Sequence, residues 1–100
     1  MGLDVLTYNK KGEKKGIFEI DEGFHYWLFN KADLNKSEFS KIFEIQDYYK
    51  TNIQFSGGEL QNFIQELEDI KKIFPFRKEI DFILNKIKQK EIEKIRITGD

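Results

Sequence analysis

The 100-residue sequence contains no cysteine, one histidine and one proline, and no apolar run approaches the ~20 residues that cross a bilayer. Without cysteine there are no disulfides, Fe–S clusters or thiolate zinc sites, and His25 alone excludes a multi-histidine metal centre, so no cofactor is expected. Arginine is scarce as well. Arg77 and Arg96 are the only two among 17 basic residues, whereas forked guanidinium groups are the usual readers of phosphates and guanine edges. Nucleic acid is therefore a disfavoured partner, and the Lys-, Ile- and Asn-rich composition is what an AT-rich genome encodes. Met1-Gly2-Leu3-Asp4 lacks the charged and apolar regions of a signal peptide, which makes a cytoplasmic location with no membrane partner the expectation.

What remains is a chain of 39% hydrophobic and 35% charged residues with a net charge of -1. That length supports one core and one domain, 1–100. The near-neutral total hides a polar distribution. Residues 56–70 hold Glu59, Glu66, Glu68 and Asp69 with no base, while residues 71–96 carry an excess of lysine.

The hydrophobic pattern alternates between two periods. Leu3, Val5 and Thr7 alternate with Asp4, Leu6 and Tyr8, and the Lys- and Gly-rich segment 9–16 follows before Ile17-Phe18-Glu19-Ile20. This reads as a hairpin with its lysines in water. Phe24-His25-Tyr26-Trp27-Leu28-Phe29 satisfies either a buried strand or the start of a helix. Asp21 as an N-cap, with Phe24, Trp27 and Leu28 spaced i, i+3, i+4, favours the helix. Phe39, Ile42 and Phe43 suggest a short helix between Ser37 and Ile45, and Tyr49, Thr51, Ile53 and Phe55 alternate as a strand.

Ser56-Gly57-Gly58-Glu59 spells a capping box, with Phe55 and Leu60 placed as its hydrophobic staple. Leu60, Phe63, Ile64, Leu67 and Ile70 then form one apolar stripe, with Gln61, Gln65, Glu66, Glu68 and Asp69 assigned to water. Pro75 bars an unbroken helix, so Ile80, Ile83, Leu84 and Ile87 define another from about Phe76 to Lys90. Ile95-Arg96-Ile97-Thr98 closes the chain as a strand, paired with Leu3–Tyr8. The order is β-β-α-(α)-β-α-α-β: a small two-layer α+β domain, mostly antiparallel sheet, with helices packed on one face.

No constellation suited to bond-making emerges. Ser56-Gly57-Gly58 opens a helix and offers free N–H groups to an anion, but Glu59 stands in the way and neither the Walker nor the dinucleotide pattern is present. The carboxylates line a helix rather than a cleft, and lone His25 sits in an apolar run as a core or boundary residue donating one hydrogen bond. The aromatics are dense for so small a domain. Some of Tyr26, Trp27, Tyr48 and Tyr49 are expected at the surface, where protein partners dock.

Met1-Gly2-Leu3-Asp4-Val5, Gly23-Phe24-His25-Tyr26-Trp27, Gly58-Glu59-Leu60 and an amphipathic helix running into a closing strand resemble a family of small bacterial and phage proteins with no assigned activity. Where that family carries a polar run of His-Ser-Asp-Cys-Asp type, Ile53-Gln54-Phe55-Ser56-Gly57 stands here. The resemblance implies a helix over residues 22–30. By association with mobile elements it also implies proteins that neutralise a toxin or a defence enzyme.

The functional expectation is a non-enzymatic protein-binding module of immunity or inhibitor type. Its partner-binding residues would be Glu59, Glu66, Glu68 and Asp69, which steer a basic partner, with Tyr26, Trp27, Tyr48 and Tyr49. The alternatives are a small carboxylate-based hydrolase or metal-assisted enzyme using His25, and a nucleic-acid or nucleotide-binding regulator using the basic C-terminal third.

Overall fold

The computed structural model describes residues 3–99. Met1 and Gly2, where the family resemblance begins, and Asp100 lie outside the described residues. The elements are β1 (Leu3–Tyr8), β2 (Lys14–Ile20), α1 (Glu22–Asn30), α2 (Ser40–Phe43), β3 (Asn52–Ser56), α3 (Gly57–Ile73), α4 (Lys78–Ile87) and β4 (Lys94–Thr98). The four strands form one antiparallel sheet in the order β2-β1-β4-β3, so the closing strand pairs with β1 as the sequence predicts, and with β3 on its other side.

Strand alternation sets the layers. Leu3, Val5 and Thr7 are buried while Asp4, Leu6 and Tyr8 are half-buried on the other face. Register then stacks Val5 beside Phe18 and Ile97, and Ile95 beside Phe55, on the inner face. Helices α3 and α4 cover that face with Leu60, Phe63, Leu67, Ile70, Ile80 and Ile83, all buried. Phe55 stacks on Phe63 with ring centroids 5.0 Å apart. Each such side chain contributes about 1.5–3 kcal/mol of burial, which outweighs local helix propensity in fixing α3. At the hairpin tip, Asn9 Oδ1 accepts from the backbone N–H groups of Lys11 and Glu13, and Gly12 takes the positive φ of 83° that closes the turn.

Several boundaries differ from the sequence reading. The Ser56 hydroxyl makes no cap hydrogen bond: Ser56 is extended, as a cap residue normally is, but Gly57 after it takes a positive φ of 53° in place of a helical one. Phe55 and Leu60, the residues of the expected staple, are both buried in the core. Helix α4 begins at Lys78 rather than Phe76, since Arg77 is still extended, and it ends at Ile87 rather than Lys90. Between Ser37 and Ile45 only Ser40–Phe43 is α-helical. The strand begins at Asn52 rather than Tyr49, because Asp47 draws the preceding residues into a turn.

Candidate functional site

Two separate segments build the principal groove. Asp21 caps α1 by accepting from the Phe24 N–H at 2.9 Å, which fixes how the following residues are dealt around the helix. His25 goes inward and is 6% exposed, whereas Tyr26, the next residue, is 57% exposed. The second segment is the turn after α2. Asp47 Oδ1 accepts from the N–H groups of Tyr49 and Lys50, each at 3.0 Å, and Thr51 N–H returns to the Asp47 carbonyl at 3.1 Å. Those two backbone donors, Lys50 first, hold the Asp47 carboxyl below its usual range. Tyr49 is thereby held out at 63% exposure, with Tyr48 half-buried beside it.

His25 joins the two segments. Its Nε2 lies 2.8 Å from the Ile45 carbonyl, to which it donates, and its ring meets Phe29 at 4.7 Å and Tyr48 at 5.0 Å. Burial lowers its pKa, opposed by the Ile45 acceptor and the charge of Asp47. The neutral ring is thus a structural link, in the role expected of a lone histidine in an apolar run. Tyr48 in turn meets Tyr49 edge-on at 5.4 Å.

The resulting open groove of about 470 Å³ is lined by Glu22, Gly23, His25, Tyr26, Asn30, Tyr48 and Tyr49. Its lining combines aromatic rings with one carboxylate, one amide and no lysine or arginine. Asn30 uses its Nδ2 on the Tyr26 carbonyl at 2.9 Å, which leaves its Oδ1 as a further acceptor. Such a surface suits a cationic or hydrogen-bond-donating side chain set among rings.

Of the eight residues singled out by sequence, the groove brings together Tyr26, Tyr48 and Tyr49. Trp27 lies elsewhere: it stacks on Phe24 at 5.8 Å, meets Phe74 edge-on at 4.9 Å and carries the Arg77 guanidinium over its ring at 4.4 Å. Glu22 and Asn30 line the groove without having been singled out. Their signal was the helix spacing that puts residues 22, 26 and 30 on one side of α1.

The four acids do not form one face. At 100° per residue Glu59 and Glu66 share a side of α3 and Glu68 stands opposite. Glu59 meets Lys41 at 3.4 Å, whereas Glu68 reaches Lys88 at 2.8 Å beyond α4. Glu66, assigned to water by its spacing, is half-buried and accepts from the N–H groups of Lys41 and Ile42 at 3.2 and 2.9 Å, capping α2. Asp69 accepts from Gln65 at 3.0 Å. Among the described residues, no three His, Asp or Glu side chains converge as a metal site would require.

No protein-family model, no curated protein and no solved structure matches the chain.

Proposed function

We propose that the chain is a non-enzymatic protein-binding module of the immunity or inhibitor type, which acts by covering a basic partner protein. The observation that carries this reading is the groove in which exposed Tyr26 and Tyr49 flank Tyr48 beside the carboxylate of Glu22. Exposed tyrosines on a preorganised turn bring large contact area at low entropic cost, which is where binding energy concentrates. With no lysine or arginine in its lining and His25 held neutral, the groove favours a lysine or arginine of the partner over an acidic one. Glu59 and Glu68, on opposite flanks of α3, lie outside the groove and are each paired with a lysine, so Glu22 is the carboxylate that meets such a partner.

The test is co-purification from the native host, identification of the captured protein, and titration of that protein against wild type, Tyr49→Ala and Glu22→Lys. Stoichiometric binding of a basic protein, weakened about 30-fold or more by either change, supports the reading. A partner whose affinity ignores both substitutions removes the groove from the interface.

A further inference from the structure

Strand β2 forms one edge of the sheet, and no strand among the described residues pairs with its outer side. Two backbone bonds fix which of its groups face that side. The Tyr8 carbonyl accepts from the Glu93 N–H at 2.9 Å, and the Gly99 N–H donates to the Thr51 carbonyl at 2.7 Å. Alternation then turns Asp4, Leu6 and Tyr8 towards β4, and Leu3, Val5 and Thr7 towards β2. Ile20, Phe18 and Gly16 answer the latter three, so Ile17 presents its N–H and C=O to the open edge. Its side chain, on the face opposite Phe18, is 56% exposed. On the inner face Phe18 meets Phe82 of α4 edge-on at 5.7 Å, and Phe82 is itself 48% exposed. Exposed apolar side chains thus flank the edge on both faces.

Charge along this edge is divided between its ends. Two cavities lie between β2 and α4. In one, of about 330 Å³, Glu19, Asp21 and Glu79 stand against Lys78; in the other, of about 160 Å³, Lys15 and Lys86 stand against Glu91. Exposed Lys14 adds to the basic end, while Glu22 and Arg77, just beyond the acidic one, cancel. An edge acidic at one end and basic at the other is complementary to itself when reversed. In the antiparallel register centred on Ile17, each Ile17 exchanges both backbone bonds with its own counterpart, Lys15 falls opposite the partner's Glu19, and Gly16 makes room opposite the partner's Phe18. A carboxylate accepts through two oxygens, so this pairing adds to whatever Glu19 meets in its own chain. The register irregularity of β2 falls at Lys14–Lys15 and leaves Gly16–Ile20 regular. The other edge, β3, has no such code: centred on Gln54 it sets Asn52 against Ser56, with no charge to choose a register.

We propose that two copies of the chain join edge to edge through β2, antiparallel about a two-fold axis at Ile17, into one continuous sheet. The acidic cavity of each copy then adjoins the basic cavity of the other, and both exposed Ile17 side chains are covered. No residue of this pairing lines the groove of Tyr26 and Tyr49, so the inference stands apart from the groove's partner.

The experiment is sedimentation velocity of the full chain alone, from about 1 µM to about 1 mM, because a single strand edge is a small contact. Wild type is expected to pass from 12.0 kDa to twice that mass. Ile17→Lys sets two ammonium groups against each other on the axis and stays monomeric, with a urea midpoint at the dilute end close to that of wild type. Lys15→Glu weakens association about tenfold, since the change is made twice across the axis, and adding Glu19→Lys restores it. Gln54→Lys, on the other edge, leaves association intact. Wild type that remains monomeric throughout overturns the inference. So does a dimer that survives Ile17→Lys or ignores Lys15→Glu, and so does a folded double variant in which association is not restored. Binding of monomeric wild type to the captured partner protein, lost in Ile17→Lys, assigns the edge to that partner instead.

Discussion

Gly99 passes so close to Tyr48 that a Cβ on it would stand 2.5 Å from the Tyr48 carbonyl oxygen and 2.8 Å from the Tyr49 carbonyl carbon. The end of β4 is thereby pressed against the tyrosine turn, and the Gly99 N–H donates to the Thr51 carbonyl at 2.7 Å. The obstacle is backbone, which cannot swing aside. Gly99→Ala must displace either the strand end or the turn, at a cost of about 1–3 kcal/mol. Urea denaturation measures it, and an alanine variant as stable as wild type would show that the close approach is slack.

His25 gives the same region a pH dependence whose sign is fixed by burial. Desolvation, the largest influence, lowers its folded pKa below 6.5, against the opposing effects of the Ile45 acceptor and Asp47. Once pH falls below 6.5 the unfolded chain takes up a proton that the folded chain resists, so stability declines towards acid and is fully present above that value. His25→Phe keeps a ring against Phe29 and Tyr48 but strips the Ile45 carbonyl of its donor, costing about 1–3 kcal/mol at about pH 7.5. The gap between wild type and variant should shrink as pH falls through the window. Parallel stability curves would place the titration elsewhere.

Glu66 and Glu68 differ by two positions and by role. Glu66→Ala leaves the Lys41 and Ile42 N–H groups at the start of α2 without their acceptor, a loss of about 1–2 kcal/mol, typical of a missing cap. Glu68→Ala removes a pair with exposed Lys88 and should change stability by less than about 1 kcal/mol. Equilibrium denaturation of the two variants side by side decides it. Equal, negligible effects would return Glu66 to the solvated surface.

These contrasts mark where sequence reading succeeds and where it stops. Strand alternation and the apolar stripe of α3 report burial against a whole layer, so the order of elements and the pairing of β1 with β4 follow from pattern alone. A polar side chain answers to single neighbours. Ser56 has the spacing of a cap, but the positive φ of Gly57 right after it takes the start of α3 out of that geometry. Glu66 has the spacing of a solvent-facing residue, and only the arrival of α2, 24 residues upstream of it for the Ile42 contact, turns it into an acceptor site. The tyrosines were legible as surplus aromatics. Their union with Glu22 was not, because it depends on the Asp47 turn meeting α1 through His25.

Adjacent residues on α1 offer the sharpest separation of binding from folding. Tyr26, 57% exposed in the groove, has little packing to lose, so Tyr26→Ala should move stability by less than about 0.5 kcal/mol. It should weaken the identified partner by about 30-fold, the effect of removing a central tyrosine anchor. Trp27→Ala removes contacts to Phe24 and Phe74 and the seat of the Arg77 guanidinium. That costs about 2–4 kcal/mol of stability and leaves the affinity of the folded fraction unchanged. Calorimetric titration together with thermal unfolding separates the two. A Tyr26→Ala variant with full affinity would take Tyr26 out of the anchoring residues and leave Tyr49 and Glu22 to decide whether the groove is the interface.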